Sequence, residues 1–123
     1  MNSTPMLSQL ETYLRLSDQR QQTIASNMAN VDTPGYRTQD IDFQSELKRA
    51  MSDDSLGLTT ASSHGPLLHE VKGLLERPDG NNVSLDRESL ALSETQLQYQ
   101  AGIQLIKLQF HELLGAINGG GNG

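Results

Sequence analysis

The sequence has no cysteine and no tryptophan. Without cysteine there is no disulfide framework and no thiolate metal site, and the chain tolerates any redox compartment. Aromatic residues make up only 4% of the chain and hydrophobic residues 35%. That lies near the lower edge of what builds a packed core, and is shifted towards chains that order with a partner. Basic charge is also scarce. Nine Lys and Arg are scattered against fifteen Asp and Glu, for a net charge of −6. No basic patch for nucleic acid is visible, and the acidity favours solubility. No apolar run approaches the ~20 residues of a membrane span. The opening "MNSTPMLSQLETYLR" lacks both a basic region and an unbroken apolar stretch, so no cleaved secretory leader is expected. With 123 residues the chain suits one domain of ordinary size.

What is present is helical periodicity. Thr4 and Pro5 read as N-cap and first helical position. From there Leu7, Leu10, Leu14, Ser17, Gln21, Ile24, Met28 and Val31 step by three and four, a heptad seam with two polar members. Pro34 stops this helix near residues 30 to 32, because it disfavours helical geometry in the residue before it. Residues 40 to 52 predict a short second helix with Ile41, Phe43, Leu47 and Ala50 on one face. Residues 53 to 81 are rich in Gly, Ser, Thr, Pro and Asp. They read as a mostly irregular middle segment, flexible or ordered by a partner, with a brief extended piece at 58 to 60 and a helical turn at 67 to 75.

Ser84 is an N-cap, with Asp86 and Glu88 placed to suit the helix dipole. Leu85, Ser89, Leu92, Gln96, Tyr99, Ile103, Ile106, Phe110, Leu113 and Ile117 then form a second seam, on a helix of roughly 50 Å at 1.5 Å per residue. "NGGGNG" is expected to stop it, leaving 119 to 123 as a disordered tail. This helix carries another apolar line at Leu90, Leu97, Ala101, Leu105 and Leu108, with Gln as the polar filler. One short partner helix covers one stripe, so other chains are expected to cover the second. The fold class expected is all-α: long N- and C-terminal helices paired antiparallel in coiled-coil fashion. The core is discontinuous, 4 to 52 with 82 to 118, and the polar seam members Ser17, Gln21, Ser89 and Gln96 set its register.

No catalytic, cofactor or metal residue stands out. His64, His69 and His111 lack converging ligand spacing. "DGNNVSLDRE" departs from a calcium loop and reads as a turn feeding a capped helix. "NVS" at 82 to 84 is too short a glycan pattern to carry weight. Asp40 with Asp42, and Asp53 with Asp54, are better explained by capping or solvation than by acid–base chemistry. The conspicuous stretch is "NMANVDTPGYRT", residues 27 to 38. Thr33-Pro34-Gly35-Tyr36 fits a type II turn. Asn27 and Asn30 are placed to bond helical carbonyls or a neighbouring backbone, and Asn30 tolerates a left-handed conformation. Such a stretch fixes the angle at which the chain leaves a helix.

"SNMANVDTPGYRTQDIDF", with Asn27, Asn30, Thr33, Pro34, Gly35 and Tyr36, resembles the N-terminal signature of the bacterial flagellar rod and hook family, and "DGNNVSLDRES" and "ETQLQYQAGIQLIK" follow in the expected order. The resemblance spans 7 to 52 and 79 to 117 and points to a proximal rod subunit. It implies terminal helices paired lengthwise around a central channel and export by the flagellar type III apparatus without a cleaved leader, to a periplasmic rod. The implied partners are other rod subunits, a small adaptor at the rod base, the membrane ring and the export gate. No enzyme activity or cofactor is implied. The expected assembly interface is Leu7, Leu10, Leu14, Ile24, Met28, Val31, Leu92, Tyr99, Ile103, Ile106, Phe110 and Leu113, with Leu97, Leu105 and Leu108 on the second stripe. Two rival readings are a sibling proximal rod protein and a cytosolic helical-hairpin chaperone or regulator.

Overall fold

The computed structural model describes residues 3–56 and 67–122. Five elements follow in order: α1 (Ser3–Ala29), β1 (Gln39–Ile41), α2 (Phe43–Leu56), β2 (Leu68–Glu70) and α3 (Leu85–Asn122). The long helices dominate, and α1 packs along α3. Pro5 sits in the first turn of α1, where its missing N–H removes no helical bond. The helix begins at Ser3, so Thr4 lies inside it. Its end matches expectation. The Asn30 N–H still reaches the Ser26 carbonyl at 3.1 Å, Thr33 N–H closes a turn on Asn30, and Pro34 follows.

The strands correct the all-α expectation. β1 and β2 form an antiparallel pair with Gln39 opposite Glu70, Asp40 opposite His69 and Ile41 opposite Leu68. The helical turn expected at 67 to 75 is therefore a strand followed by irregular chain, with Val71 N–H adding one more bond to the Thr38 carbonyl. The extended piece expected at 58 to 60 lies outside the described residues. β1 leads straight into α2, whose first turn is capped by Asp42: its carboxylate accepts from Ser45 N–H and Ser45 Oγ–H. α2 returns to α1 through an edge-to-face contact of Phe43 on Tyr13, ring centroids 5.2 Å apart.

Among the described residues buried apolar side chains are few: Leu10, Leu16 and Ile24 from α1, Ile41 from β1 and Ala91 from α3. The buried polar group is larger, including Ser17, Asn27, Thr38, Asp40, Asn81, Asn82, Glu88 and Thr95. Ser17 donates to the Tyr13 carbonyl and Thr95 to the Ala91 carbonyl, so both hydroxyls are satisfied within their own helices.

Two sets of contacts align the long helices. Asn27 near the end of α1 bonds Glu88 in the first turn of α3. Further along, a Cβ at Gly102 would stand 2.8 Å from Leu14 Cδ2 and 3.0 Å from Tyr13 Cδ1. A side chain there would have to push Leu14 and the Tyr13 ring aside, so glycine suits the crossing. The face α3 turns to α1 is thus Glu88, Ala91, Thr95 and Gly102, all buried. Ser89 and Gln96, expected as polar seam members, are exposed. Over residues 88 to 102 stepping from one large apolar residue to the next placed the seam one residue late, because small and polar side chains make this contact; further on it fits, with Ile106 and Leu113 half-buried and Leu105 and Glu112 beside them exposed.

α3 has 38 residues and α1 has 27, so α3 is eleven residues longer. It continues through the glycine-rich end to Asn122 and does not stop at Ile117.

Candidate functional site

The residue-level centre of the molecule is Asn27. Its side chain is fully buried and makes all four of its hydrogen bonds. Nδ2 donates to the Gln39 carbonyl and to Glu88 Oε1, each at 2.8 Å. Oδ1 accepts from Tyr36 Oη–H at 3.0 Å and from Gln39 N–H at 3.1 Å. One side chain therefore ties the end of α1, the Pro-Gly turn, the outer edge of β1 and the start of α3.

Charge continues the chain of contacts. Glu88, also fully buried, pairs through Oε2 with Arg87 Nη1 at 2.7 Å. Arg87 Nη2 reaches Asp40 Oδ2 at 2.8 Å, and Arg20 Nε reaches Asp40 Oδ1 at 3.2 Å. Two carboxylates face two guanidinium groups, so the cluster is neutral. Burial alone raises the Asp40 pKa. Hydrogen bonds from Arg20 and the Ile41 N–H, the Arg20 charge and the Arg87 bond outweigh it, and the net shift is downward. Burial likewise lowers the Arg87 pKa, and its bonds to Glu88 and Asp40 reverse this to a net rise. Asp40 is therefore a buried, paired carboxylate; only Asp42 is a cap. Such a cluster contributes little net stability, but losing one partner leaves a buried charge uncompensated.

The turn is built as the sequence implies. Tyr36 N–H bonds the Thr33 carbonyl at 3.2 Å, and Gly35 has φ +75°. Asn30 keeps a negative φ, against the expected left-handed option. Its Nδ2 donates to the Ser26 carbonyl at 2.8 Å and its Oδ1 accepts from Thr33 Oγ1 at 2.9 Å. The segment before α3 docks directly on this turn. Asn81 Nδ2 donates to the Asn30 and Thr33 carbonyls at 2.9 and 2.8 Å. Gly35 N–H reaches the Asp79 carbonyl, and Asn82 Oδ1 accepts from Thr38 N–H at 2.7 Å. Arg77 adds a bond to the Val31 carbonyl. A Cβ at Gly80, φ +87°, would meet the Gly35 Cα at 3.3 Å. Ser84 then caps α3 through its Oγ, which accepts from Arg87 N–H at 3.2 Å. Residues 67 to 84 are accordingly held by contacts within the chain. Arg37 anchors them through Glu70, Glu76 and the Gly80 carbonyl.

Sequence reasoning singled out Asn27 and the turn but missed Arg20, Asp40, Arg87 and Glu88 as one cluster. The available signal was an acidic residue in the first turn of α3 facing Asn27 across the helix pair.

The expected interface residues divide in two. Leu10 and Ile24 are buried; Leu7, Leu14, Met28, Val31, Leu92, Tyr99, Ile103, Ile106 and Leu113 are half-buried. Leu97, Leu105 and Leu108 are exposed, at 67%, 49% and 57%. Phe110, expected in the seam, is also exposed. Among the described residues no cluster of three His, Asp or Glu side chains gathers. His69 and His111 are exposed, and His64 lies outside the described residues. No helix among the described residues is long and apolar enough to cross a membrane.

Two long helices locked at one end by a satisfied polar clasp, with leucines left bare along the rest, have the make-up of a structural chain. A family model described as "Flagella basal body rod protein" matches residues 14–37, which hold most of α1 and the whole turn. The chain is 35% identical to the flagellar basal body rod protein FlgB of Salmonella typhimurium strain LT2, across 94% of this chain and 99% of that protein. It is 34% identical to the FlgB protein of Escherichia coli strain K12 over the same shares. The FlgB protein of Yersinia enterocolitica is 34% identical, over 87% of this chain and 89% of that one. The chain belongs to the FlgB family of flagellar basal body rod proteins, whose members are structural proteins and not enzymes.

Proposed function

We propose that this chain is a subunit of the proximal rod, polymerising through its terminal helices to help form a hollow drive shaft. In this reading α1 and α3 pair antiparallel in coiled-coil fashion, as the order of contacts from Asn27–Glu88 to Leu14–Gly102 supports. Residues 4 to 52 and 82 to 118 form the axial core, and 53 to 81 the segment between. Other rod subunits, the rod-base adaptor, the membrane ring and the export gate are its neighbours. The chain reaches the periplasm through the flagellar type III apparatus.

The observation that carries this reading is the bare second stripe of α3: Leu97, Leu105 and Leu108 exposed on a helix with few charges. Burying each leucine on assembly is worth about 1.5–3 kcal/mol. Backbone ordering opposes this at about 1–2 kcal/mol per residue, so assembly and completion of the fold are coupled. Replacing Leu105 and Leu108 by Asp tests it. Incorporation into purified basal bodies is lost while export continues. Normal rods from that variant, or recovery of the chain only in a soluble one-to-one cytosolic complex, would overturn the proposal.

A further inference from the structure

Residues 72 to 76 lie apart from the clasp. From Lys72 to Glu76 no backbone N–H or carbonyl bonds another of the described residues. The stretch is bounded by Val71, whose N–H donates to the Thr38 carbonyl at 2.9 Å, and by Arg77, whose N–H donates to the Asn81 carbonyl at 2.8 Å. Within it Gly73 takes φ +82°, and a Cβ there would meet nothing within 4 Å. Leu75 is 95% exposed, while Leu74 is half-buried. One polar tie to the described residues holds the stretch down: Arg37 Nη1 donates to Glu76 Oε1 at 2.7 Å.

Arg37 meets the chain on both sides of this stretch as well. Its Nη2 reaches Glu70 Oε2 at 3.2 Å, and its Nη1 also donates to the Gly80 carbonyl at 3.0 Å. Those flanks have further support, Glu70 from the strand pairing and Gly80 from its neighbour Asn81 on the turn. The middle has none. The Arg37–Glu76 pair is open to water, with Glu76 more than half exposed. A pair of that kind is weak, and salt screens it. Releasing it returns backbone freedom to the stretch and breaks no backbone hydrogen bond.

We propose that residues 72 to 76 are a strap latched by Arg37, which opens and closes while the clasp of Asn27, Asp40, Arg87 and Glu88 stays shut. Opening frees Leu74 to join Leu75 at the surface, so the latch sets whether one leucine or an adjacent pair is presented. Rising salt favours the open form. The inference goes beyond the rod reading and does not depend on it.

The full-length chain is exposed briefly to trypsin, and the cut after Lys72 is followed by mass spectrometry against a free peptide of the same sequence. Arg77 precedes Pro78 and resists trypsin, so Lys72 is the strap's own cleavage point. The protease must draw the chain around Lys72 into its cleft, so the rate tracks the open population. Glu76→Gln should speed this cut roughly 3- to 5-fold, the span of an exposed ion pair. Adding Glu76→Gln to Arg37→Gln should change nothing beyond Arg37→Gln alone. Raising salt from about 0.05 to about 0.5 M should speed the cut in the unaltered chain and far less in Glu76→Gln. Cuts after Arg20 and Arg87, inside the clasp, should stay slow throughout. An unchanged rate at Lys72 in Glu76→Gln overturns the proposal, as does an equal salt response in both chains. A rise at Lys72 that comes only with an equal rise at Arg20 and Arg87 is general unfolding and overturns it too.

Discussion

Asn27 holds four partners that no other side chain at that position would satisfy together, and its replacement is the sharpest residue-scale test. Asn27→Ala leaves Glu88 Oε1, Tyr36 Oη and both Gln39 backbone groups short of a partner. At about 2 kcal/mol for the local opening, the Gln39 amide should exchange with solvent ~30-fold faster, which hydrogen exchange reads directly. Asp40 gives a pH test. Its pKa in the folded chain lies below the ordinary value, near 4 when unfolded. Between those two values the unfolded chain holds a proton the folded chain lacks, so stability rises with pH. The contribution is complete above about pH 4 and disappears as pH falls through the folded pKa. Acid titration followed by circular dichroism should show this loss, and Asp40→Asn should flatten it while lowering stability at neutral pH. At this scale the turn was legible in the sequence, because Pro34 and Gly35 leave few alternatives. The ion cluster was not, because Arg20, Asp40 and Glu88 come from three separate parts of the chain, and only their meeting gives them meaning.

Helix α3 can be probed at two glycines whose surroundings differ. A methyl at Gly115 meets nothing within 4 Å, so Gly115→Ala should gain up to about 1 kcal/mol from helix propensity alone. At Gly102 the same gain is opposed by overlap with Leu14 and with Tyr13. The Tyr13 ring is braced by Phe43 and cannot move aside freely. Overpacking of about 1–3 kcal/mol wins, and Gly102→Ala should lower stability. Thermal or urea melts of the two variants, run side by side, check the opposite signs. The long helices themselves were legible from spacing, as were the Ser84 cap and the exit of α1. The seam on the first half of α3 was misplaced because Glu88, Ala91, Thr95 and Gly102 look unlike core residues in sequence. The strand pair was missed because three residues per strand carry no period, and because Asn27 supplies the hydrogen bonds that a third strand would otherwise provide.

For the whole molecule the consequence is uneven order. Residues around the clasp are held by satisfied polar contacts, whereas the later part of α3 has only the first turns of α1 beside it. In the isolated chain, amides in 27 to 41 and 79 to 92 should be the best protected, and those beyond about Ile103 should exchange within the range of a marginal single helix. Uniform protection to residue 117 in a dilute sample would contradict this. The bare leucines of α3 were foreseen from the sequence by counting apolar lines against available partners. The Arg37 latch was not, since Glu70, Glu76 and the Gly80 carbonyl meet it only when the chain folds back over the turn. One feature of the pair carries furthest: α3 outlasts α1 by eleven residues. Each molecule therefore has a blunt, interlocked head and a projecting tongue, and no rotation makes the two alike. A column built by seating one into the next inherits a sense of direction, so its two tips differ, and growth at one has no reason to match growth at the other.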